Sequence, residues 1–195
     1  MNRGERIANR TKSAVKKALL ELIRKKNYPT ITVGEITKTG DVGRSTFYRH
    51  YQSKAEVLVD IHRDMFEALF RPLSDSRVWL DPKPAPELIS FLEDCQQLGK
   101  NPFSLTYKLG TDLDYLITHI NRQLFITIEN ALKESYPDKD LNLPLPILAQ
   151  SVSSLFSGMI MSWFTRFQWV QPREFAMHIH RSIRALILEA LESRA

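Results

Sequence analysis

The stretch from Thr32 to Tyr51 reads TVGEITKTGDVGRSTFYRHY and contains two short helical patterns around a tight turn. Thr32 precedes the first pattern and Glu35 follows three residues later, which is the spacing of a capping box at a helix N-terminus. Gly40-Asp41 then supplies residue types that favour a sharp reversal of the backbone. The stretch therefore predicts a helix, a turn and a second helix.

The second helix is predicted to begin after Gly43, an acceptable although not an optimal N-cap. Phe47 and Tyr51 are four residues apart, share one face and are predicted to anchor the helix to its domain. The other side chains are mostly polar: Arg44, Ser45, Thr46, Tyr48, Arg49 and His50. A second helix that presents donors across a short turn is typical of a helix-turn-helix, which indicates a DNA-binding module.

The charge of the chain is distributed unevenly. The net charge is +5, but residues 1–60 hold 13 Lys+Arg against 6 Asp+Glu, a net +7, whereas the remainder holds 14 against 16, a net −2. Positive charge on one terminal module favours a polyanionic partner, because phosphate contacts displace counterions. The alternative is an ordinary solvated helix face formed by Lys16, Lys17, Lys25 and Lys26.

The composition argues against several other classes. A single cysteine, Cys95, cannot form an intramolecular disulfide, and no Cys/His cluster indicates a metal or cofactor. The N-terminus has no apolar signal region, and no uninterrupted apolar run reaches the length of a membrane span. We therefore expect a cytoplasmic protein that is neither secreted nor embedded in a membrane, and no serine or carboxylate pattern predicts an enzyme.

Helical periodicity continues along the chain and predicts an all-α fold. An N-terminal three-helix domain is expected over residues 1–52, followed by a connecting helix over 53–70 that begins with a second capping box, Ser53 and Glu56. A larger helical regulatory and dimerisation domain is expected over 71–195. Residues 71–86 contain four prolines and are predicted to be an irregular connection. Further helices are predicted over 87–98, after Asn101-Pro102, and over 112–134, 146–168 and 173–191.

The segment from Ile31 to Leu58, ITVGEITKTGDVGRSTFYRHYQSKAEVL, resembles the TetR-type (TetR/AcrR) transcriptional regulators. The resemblance rests on Thr46-Phe47-Tyr48-Arg49-His50-Tyr51 with Lys54, and it covers about the first third of the chain. Where such proteins usually have an Ala-Gly turn and a serine cap, this chain has Gly40-Asp41 and Gly43, and Ser45 stands at a common glycine position. The resemblance implies a DNA-binding regulator that dimerises through a four-helix bundle and has a ligand pocket in its second domain.

Roles for individual residues follow from their chemistry. Arg44, Ser45 and Arg49 are candidates for base contacts, since arginine pairs with guanine edges in the major groove; the alternative is that both arginines contact only phosphates. The residues predicted to position the duplex are Thr32, Thr46, Tyr48, His50 and Lys54.

In the second domain, aromatic residues at helical spacing predict either a ligand cavity for a small apolar or aromatic compound or simple core. The set includes Cys95 and His119 besides the aromatic residues, and its members are Phe91, Cys95, Phe103, Tyr107, Tyr115, His119, Phe125, Phe156, Trp163 and Phe167. Two apolar stripes on the last helices predict either a dimer seam or closure of the monomer core, and we favour the dimer. The seam residues are Leu155, Met159, Phe175, Ile179, Ile183 and Leu186.

Three functions are therefore considered. The first is a homodimeric repressor that a small molecule releases from a double-stranded operator. The second is an architectural or protein-regulated DNA-binding factor without a small-molecule inducer. The third, an enzyme with a DNA-binding appendage, has no sequence feature in its favour.

Overall fold

A computed structural model describes residues 3–98, 110–137 and 141–192. The described residues contain helices and no β-strand, which confirms the all-α prediction. In chain order the helices are α1 (Arg3–Lys25), α2 (Val33–Thr39), α3 (Arg44–His50), α4 (Lys54–Phe70), α5 (Ser76–Leu80), α6 (Pro86–Leu98), α7 (Leu113–Ser135), α8 (Leu145–Thr165) and α9 (Pro172–Leu191). Short 3₁₀ helices cover Tyr28–Thr30, Arg71–Ser74 and Gly110–Asp112. The helix predicted after Asn101-Pro102 lies outside the described residues.

The described chain divides into two compact units. The first contains the residues up to His62 and those from Gly110 to Ile120, and the second contains the residues from Arg63 to 98 and from Asn121 onward. Each division therefore falls inside a helix, α4 in one case and α7 in the other. A functional boundary between residues 52 and 71 stays a prediction, because compactness alone does not separate DNA binding from regulation.

The first unit packs α1, α2 and α3 around one apolar core. Phe47 is fully inaccessible and Tyr51 is buried, which confirms that these two residues anchor the recognition helix. Leu116 of α7 belongs to the same core, a contribution that helical periodicity did not predict. The buried members are Val15, Ala18, Leu19, Tyr28, Ile31, Ile36, Phe47, Tyr51, Ala55, Val57, Leu58 and Leu116.

The connection over 71–86 is more ordered than the sequence predicts. It contains a 3₁₀ turn and α5, whose N-terminus is capped by Asp75 through the backbone N–H of Arg77. The reason is Trp79, which is buried and donates its indole N–H to Ser135 Oγ at 3.0 Å. Burial of one large side chain thus fixes a segment in which prolines suggested irregular backbone.

The second unit contains α9 packed against α8 and α6. The apolar stripe of α9 lies inside this unit: Ile179 is fully inaccessible, and Phe175 and Ile183 are buried. Most of the surface of these three residues is covered within one chain, although Phe175 also lines the open groove along α8, and the dimer seam stays a prediction. Leu186 of the same helix is only partly buried.

Among the described helices, α8 alone is long and apolar enough to cross a membrane by length and composition. The core helix of a soluble protein meets the same criterion, and six residues of α8, including Phe156 and Trp163, are buried in the second unit. Part of the remaining surface of α8 lines an open groove.

Candidate nucleic-acid interface

The start of α2 is fixed by the predicted capping box, which the structure confirms. Thr32 Oγ1 accepts from the backbone N–H of Glu35 at 3.2 Å, and the Glu35 carboxylate accepts from the backbone N–H of Thr32 at 2.9 Å. The Lys26 ammonium also donates to this carboxylate and, with the bonds from Thr32, lowers the pKa of Glu35 to about 2. The Thr32 hydroxyl is therefore engaged in capping the N-terminus of α2.

In the turn between α2 and α3, the left-handed backbone conformation belongs to Asp41 and not to Gly40. Gly40 has an ordinary negative φ of −86°, whereas Asp41 adopts the left-handed region with φ 50°. Close packing favours glycine at position 40, because a Cβ there would lie 3.2 Å from the carbonyl oxygen of Ala14 and 3.3 Å from Cβ of Ala18, which is tighter than most Cβ contacts. Close approach of α1 thus selects Gly40, and aspartate tolerates the left-handed turn.

Helix α3 exposes four of the predicted DNA-binding side chains. Arg44, Ser45, Tyr48 and Arg49 are exposed, while Phe47 between them points into the core. The ring of Tyr48 stands edge-on to Phe47, with 5.4 Å between centroids, so a buried ring supports an exposed one. The exposed face therefore offers two guanidinium groups and two hydroxyls to a partner.

Two other predicted residues are less exposed than these four. Thr46 and His50 are half-buried, on the flanks of α3. The backbone at Gly43 caps the helix without a side-chain hydrogen bond, as expected from the missing hydroxyl. These positions border the exposed face rather than form its centre.

Lys54, predicted to contact phosphate, makes three hydrogen bonds within the first unit. Its ammonium donates to the carbonyl oxygens of Tyr28 at 2.9 Å, Pro29 at 3.0 Å and Ile31 at 2.9 Å. A lysine ammonium has three N–H donors, so all of them are used. Desolvation lowers the pKa of this group. In this arrangement Lys54 holds the turn that precedes α2.

Tyr28 connects the same turn to the segment before α7. Its hydroxyl donates to Asp112 Oδ2 at 2.9 Å, and burial, followed by this carboxylate, raises the pKa of Tyr28. Sequence reasoning did not single out Tyr28 or Asp112, since 84 residues separate them and no local spacing signals the pair.

A buried charged group lies behind the recognition helix. Tyr51, the C-cap of α3, donates its hydroxyl to Asp60 Oδ2 in α4 at 2.6 Å. The ammonium of Lys16 in α1 lies 3.4 Å from the same oxygen. Lys16 and Asp60 were missed as site residues because each reads locally as an ordinary helix position, and only the fold brings them together.

The described members of the predicted ligand-binding set belong to both compact units and differ in burial. Phe156 and Trp163 are buried, and the Trp163 indole N–H donates to the carbonyl of Val170 at 3.0 Å, so both are core. Phe91 and Phe156 are neighbours, with 6.4 Å between ring centroids. The partly buried members of the second unit are Phe91, Cys95 and Phe125.

The other members of that set lie elsewhere. Tyr115 and His119 belong to the first unit, where their rings stack with centroids 3.8 Å apart. Phe167 is exposed, and Phe103 and Tyr107 lie outside the described residues. That these ten residues line one ligand cavity stays a prediction.

An open apolar groove of about 330 Å³ runs along α8 in the second unit. Leu155 and Met159, both predicted for the dimer seam, line it. The full lining is Ser154, Leu155, Gly158, Met159, Ser162, Phe167 and Phe175.

In the described ranges, no group of three or more His, Cys, Asp or Glu side chains could hold a metal ion.

The fold of the first unit and the exposed α3 face define a helix-turn-helix domain. Residues 17–61 match the family model for bacterial regulatory proteins of the tetR family. This segment is a DNA-binding helix-turn-helix domain of that family.

Individual relatives agree with this assignment. A 50-residue stretch is 42% identical to the uncharacterized HTH-type transcriptional regulator YxbF of Bacillus subtilis (strain 168), and the match spans 25% of this chain and 13% of that protein. The chain is also similar to the TetR transcriptional regulator from Streptococcus agalactiae 2603V, at 24% identity and a TM-score of 0.51 over 92% of this chain and 97% of that one.

A third likeness is to Thermus thermophilus FadR, a TetR-family transcriptional repressor crystallised in complex with lauroyl-CoA. The identity is 19% and the TM-score 0.58 over 94% of this chain and 97% of that one. These two structural likenesses show the shared fold. The relatives are transcriptional regulators rather than enzymes.

Proposed function

We propose that the protein is a cytoplasmic homodimeric repressor that binds a pseudo-palindromic operator and is released from it by a small molecule. The observation that carries the DNA-binding part is the exposed face of α3, where Arg44, Ser45, Tyr48 and Arg49 project from a helix anchored by buried Phe47. Arginine and serine pair with base edges, and a basic domain gains affinity from phosphates.

The dimer is proposed from the apolar surface of α8. Only 28% of its most apolar 18-residue window is buried within one chain, and the groove over Leu155 and Met159 is open. A second copy related by a twofold axis would cover this surface and place two reading helices on two half-sites. Leu155→Glu and Met159→Glu are each expected to convert the dimer to a monomer in light scattering, whereas a wild-type monomer would contradict the proposal.

Release by a ligand requires that the compound bind the two states of the dimer with different affinity. Among the described residues of the second unit, the partly buried Phe91, Cys95 and Phe125 are candidates for its contacts. Because FadR was crystallised with lauroyl-CoA, long-chain acyl thioesters are a rational first group to screen, alongside small aromatic compounds.

A second function is favoured by one observation, the burial of Phe156 and Trp163 as core instead of pocket lining. In that case the second unit serves dimerisation and partner contact, and no inducer exists. Thermal shift measurements separate the two functions. Stabilisation by a compound that also abolishes operator binding supports the sensor, and a partner protein that displaces the regulator in the absence of any compound supports the alternative.

Selection of bound sequences from a random duplex pool, with the stoichiometry of the best complex, tests the DNA-binding proposal. A palindromic site bound by a dimer is expected, and Arg49→Ala should weaken or broaden the selected sequence. Binding that depends on salt but not on sequence would replace the repressor with an architectural factor.

A further inference from the structure

The side chain of Arg44 lies across the first turn of α2, against Gly34. A Cβ placed on Gly34 would stand 2.9 Å from Nη2 of Arg44 and 3.9 Å from its Cζ. Cβ atoms in real proteins essentially never approach another heavy atom to within 3.0 Å. The guanidinium can therefore occupy this position only because residue 34 has no side chain.

Arg44 is also chemically available. It is exposed, and the part of the chain that the structure describes gives it no hydrogen-bond or ion-pair partner. Its five N–H donors form the planar fork that pairs with a guanine edge or a phosphate. An exposed arginine that keeps all its donors is available to a ligand rather than engaged in the fold.

From this geometry we infer that Gly34 is a specificity-determining position, which acts by placing the Arg44 guanidinium on the DNA. The inference rests on the proposed operator binding. Gly34 itself offers no group to DNA, so it is a positioning residue. Any side chain at position 34 displaces the guanidinium from the first turn of α2 and changes the base or phosphate that Arg44 meets.

Gly34→Ala is a clean test because it should not damage the fold. The atom that a new Cβ would meet is the end of a flexible side chain, which can move at little cost. Alanine is also a better helix former than glycine. Thermal unfolding of G34A is therefore expected at or above the wild-type temperature, so a change in DNA binding would reflect the position of Arg44.

The experiment combines pool selection with a double-mutant cycle on the selected operator. G34A is expected to alter preference at the same base position that R44A relaxes, and to lower operator affinity about 5- to 150-fold, the range of one misplaced bidentate contact. Adding G34A to R44A should cause no further loss. Arg49 is the matched control, because G34A and R49A should act independently on binding.

The inference is overturned if G34A retains the wild-type sequence preference and an affinity within about twofold of wild type while R44A loses affinity. It is equally overturned if G34A and R44A contribute additively, since Gly34 would then act through something else. If the proposed operator binding is itself wrong, the wild-type protein will show no sequence-specific binding, which distinguishes that failure from failure of the inference about Gly34.

Discussion

Lys54 and Tyr28 are joined twice, by a hydrogen bond from the ammonium to the Tyr28 carbonyl at 2.9 Å and by a cation–π contact with the ammonium 4.5 Å from the ring centroid. Two further carbonyls, of Pro29 and Ile31, accept the remaining donors. The residue that sequence reasoning assigns to phosphate therefore acts first on the backbone that leads into α2.

Lys54→Met is expected to lower the free energy of unfolding by about 1–3 kcal/mol, because it keeps the apolar stem and removes the donors of three carbonyls. Urea titration measures this loss. Lys17→Met, which removes an exposed lysine from α1, is the control and should change stability by no more than about 0.5 kcal/mol. If the urea midpoint of Lys54→Met is unchanged and the salt dependence of its DNA binding is flatter, Lys54 contacts phosphate instead.

The Glu35 carboxylate should make the first unit sensitive to acid. Its pKa in the folded protein is about 2, lowered from the ordinary 4.5 by Lys26 and Thr32. A group with a lowered folded pKa contributes stability above its unfolded pKa and loses it as the pH falls, here between about 4.5 and about 2. Glu35→Gln keeps the capping geometry without the titration. The difference in urea midpoint between the two proteins should shrink across that window; a constant difference would argue against this origin.

Gly40→Ala is expected to destabilise the protein by about 1–3 kcal/mol, since its Cβ would press on backbone oxygens that cannot rotate away. Asp41→Gly in the same turn is the control. Position 41 has a left-handed φ, which glycine adopts freely, so this change should be nearly neutral. Equal thermal shifts for the two variants would show that packing against α1 does not select Gly40.

Gly43→Ser should restore the cap that α3 lacks. An added Cβ at this position would lie 3.7 Å from Thr46 Oγ1, an ordinary contact, and the serine hydroxyl can accept from the first turn of the helix. A gain of a few tenths of a kcal/mol is expected by urea titration. Gly43→Ala provides the same Cβ without the oxygen and should be less stable than the serine variant by about 1 kcal/mol. Equal stability of the two would exclude capping as the cause.

Tyr51→Phe removes the hydroxyl that donates to buried Asp60 at 2.6 Å. The expected loss of stability is about 1.5–3 kcal/mol, the range of a hydrogen bond to a charged group. Tyr48→Phe removes a hydroxyl from an exposed side chain of the same helix and should remain within about 0.5 kcal/mol of wild type. If the two variants unfold together, the Asp60 contact contributes little.

Local patterns predicted the features that depend on local physics. The Thr32–Glu35 capping box and the buried Phe47 each follow from spacing within one or two helical turns, and the structure confirms them. The turn was placed correctly, but the reason for Gly40 was not visible, because the constraint comes from Ala14 and Ala18 in another helix.

Features that depend on tertiary structure could not be predicted in the same way. The partners of Lys54 lie 23 to 26 residues earlier in the chain, and α5 forms because Trp79 is buried beside Ser135. Periodicity shows that α9 has an apolar face, but it cannot show whether that face meets its own chain or a second copy. Ile179 is buried against its own chain.

Helix α3 has only seven residues, too few to persist alone in water. It is held by Phe47 in the core and by the hydrogen bond from Tyr51 to Asp60, whose carboxylate also lies beside Lys16 of α1. Its reading surface therefore exists only when α1, α3 and α4 are assembled. We therefore expect that folding of this unit and the proposed recognition of DNA share one cooperative transition, so that heating abolishes DNA binding without first lowering its specificity.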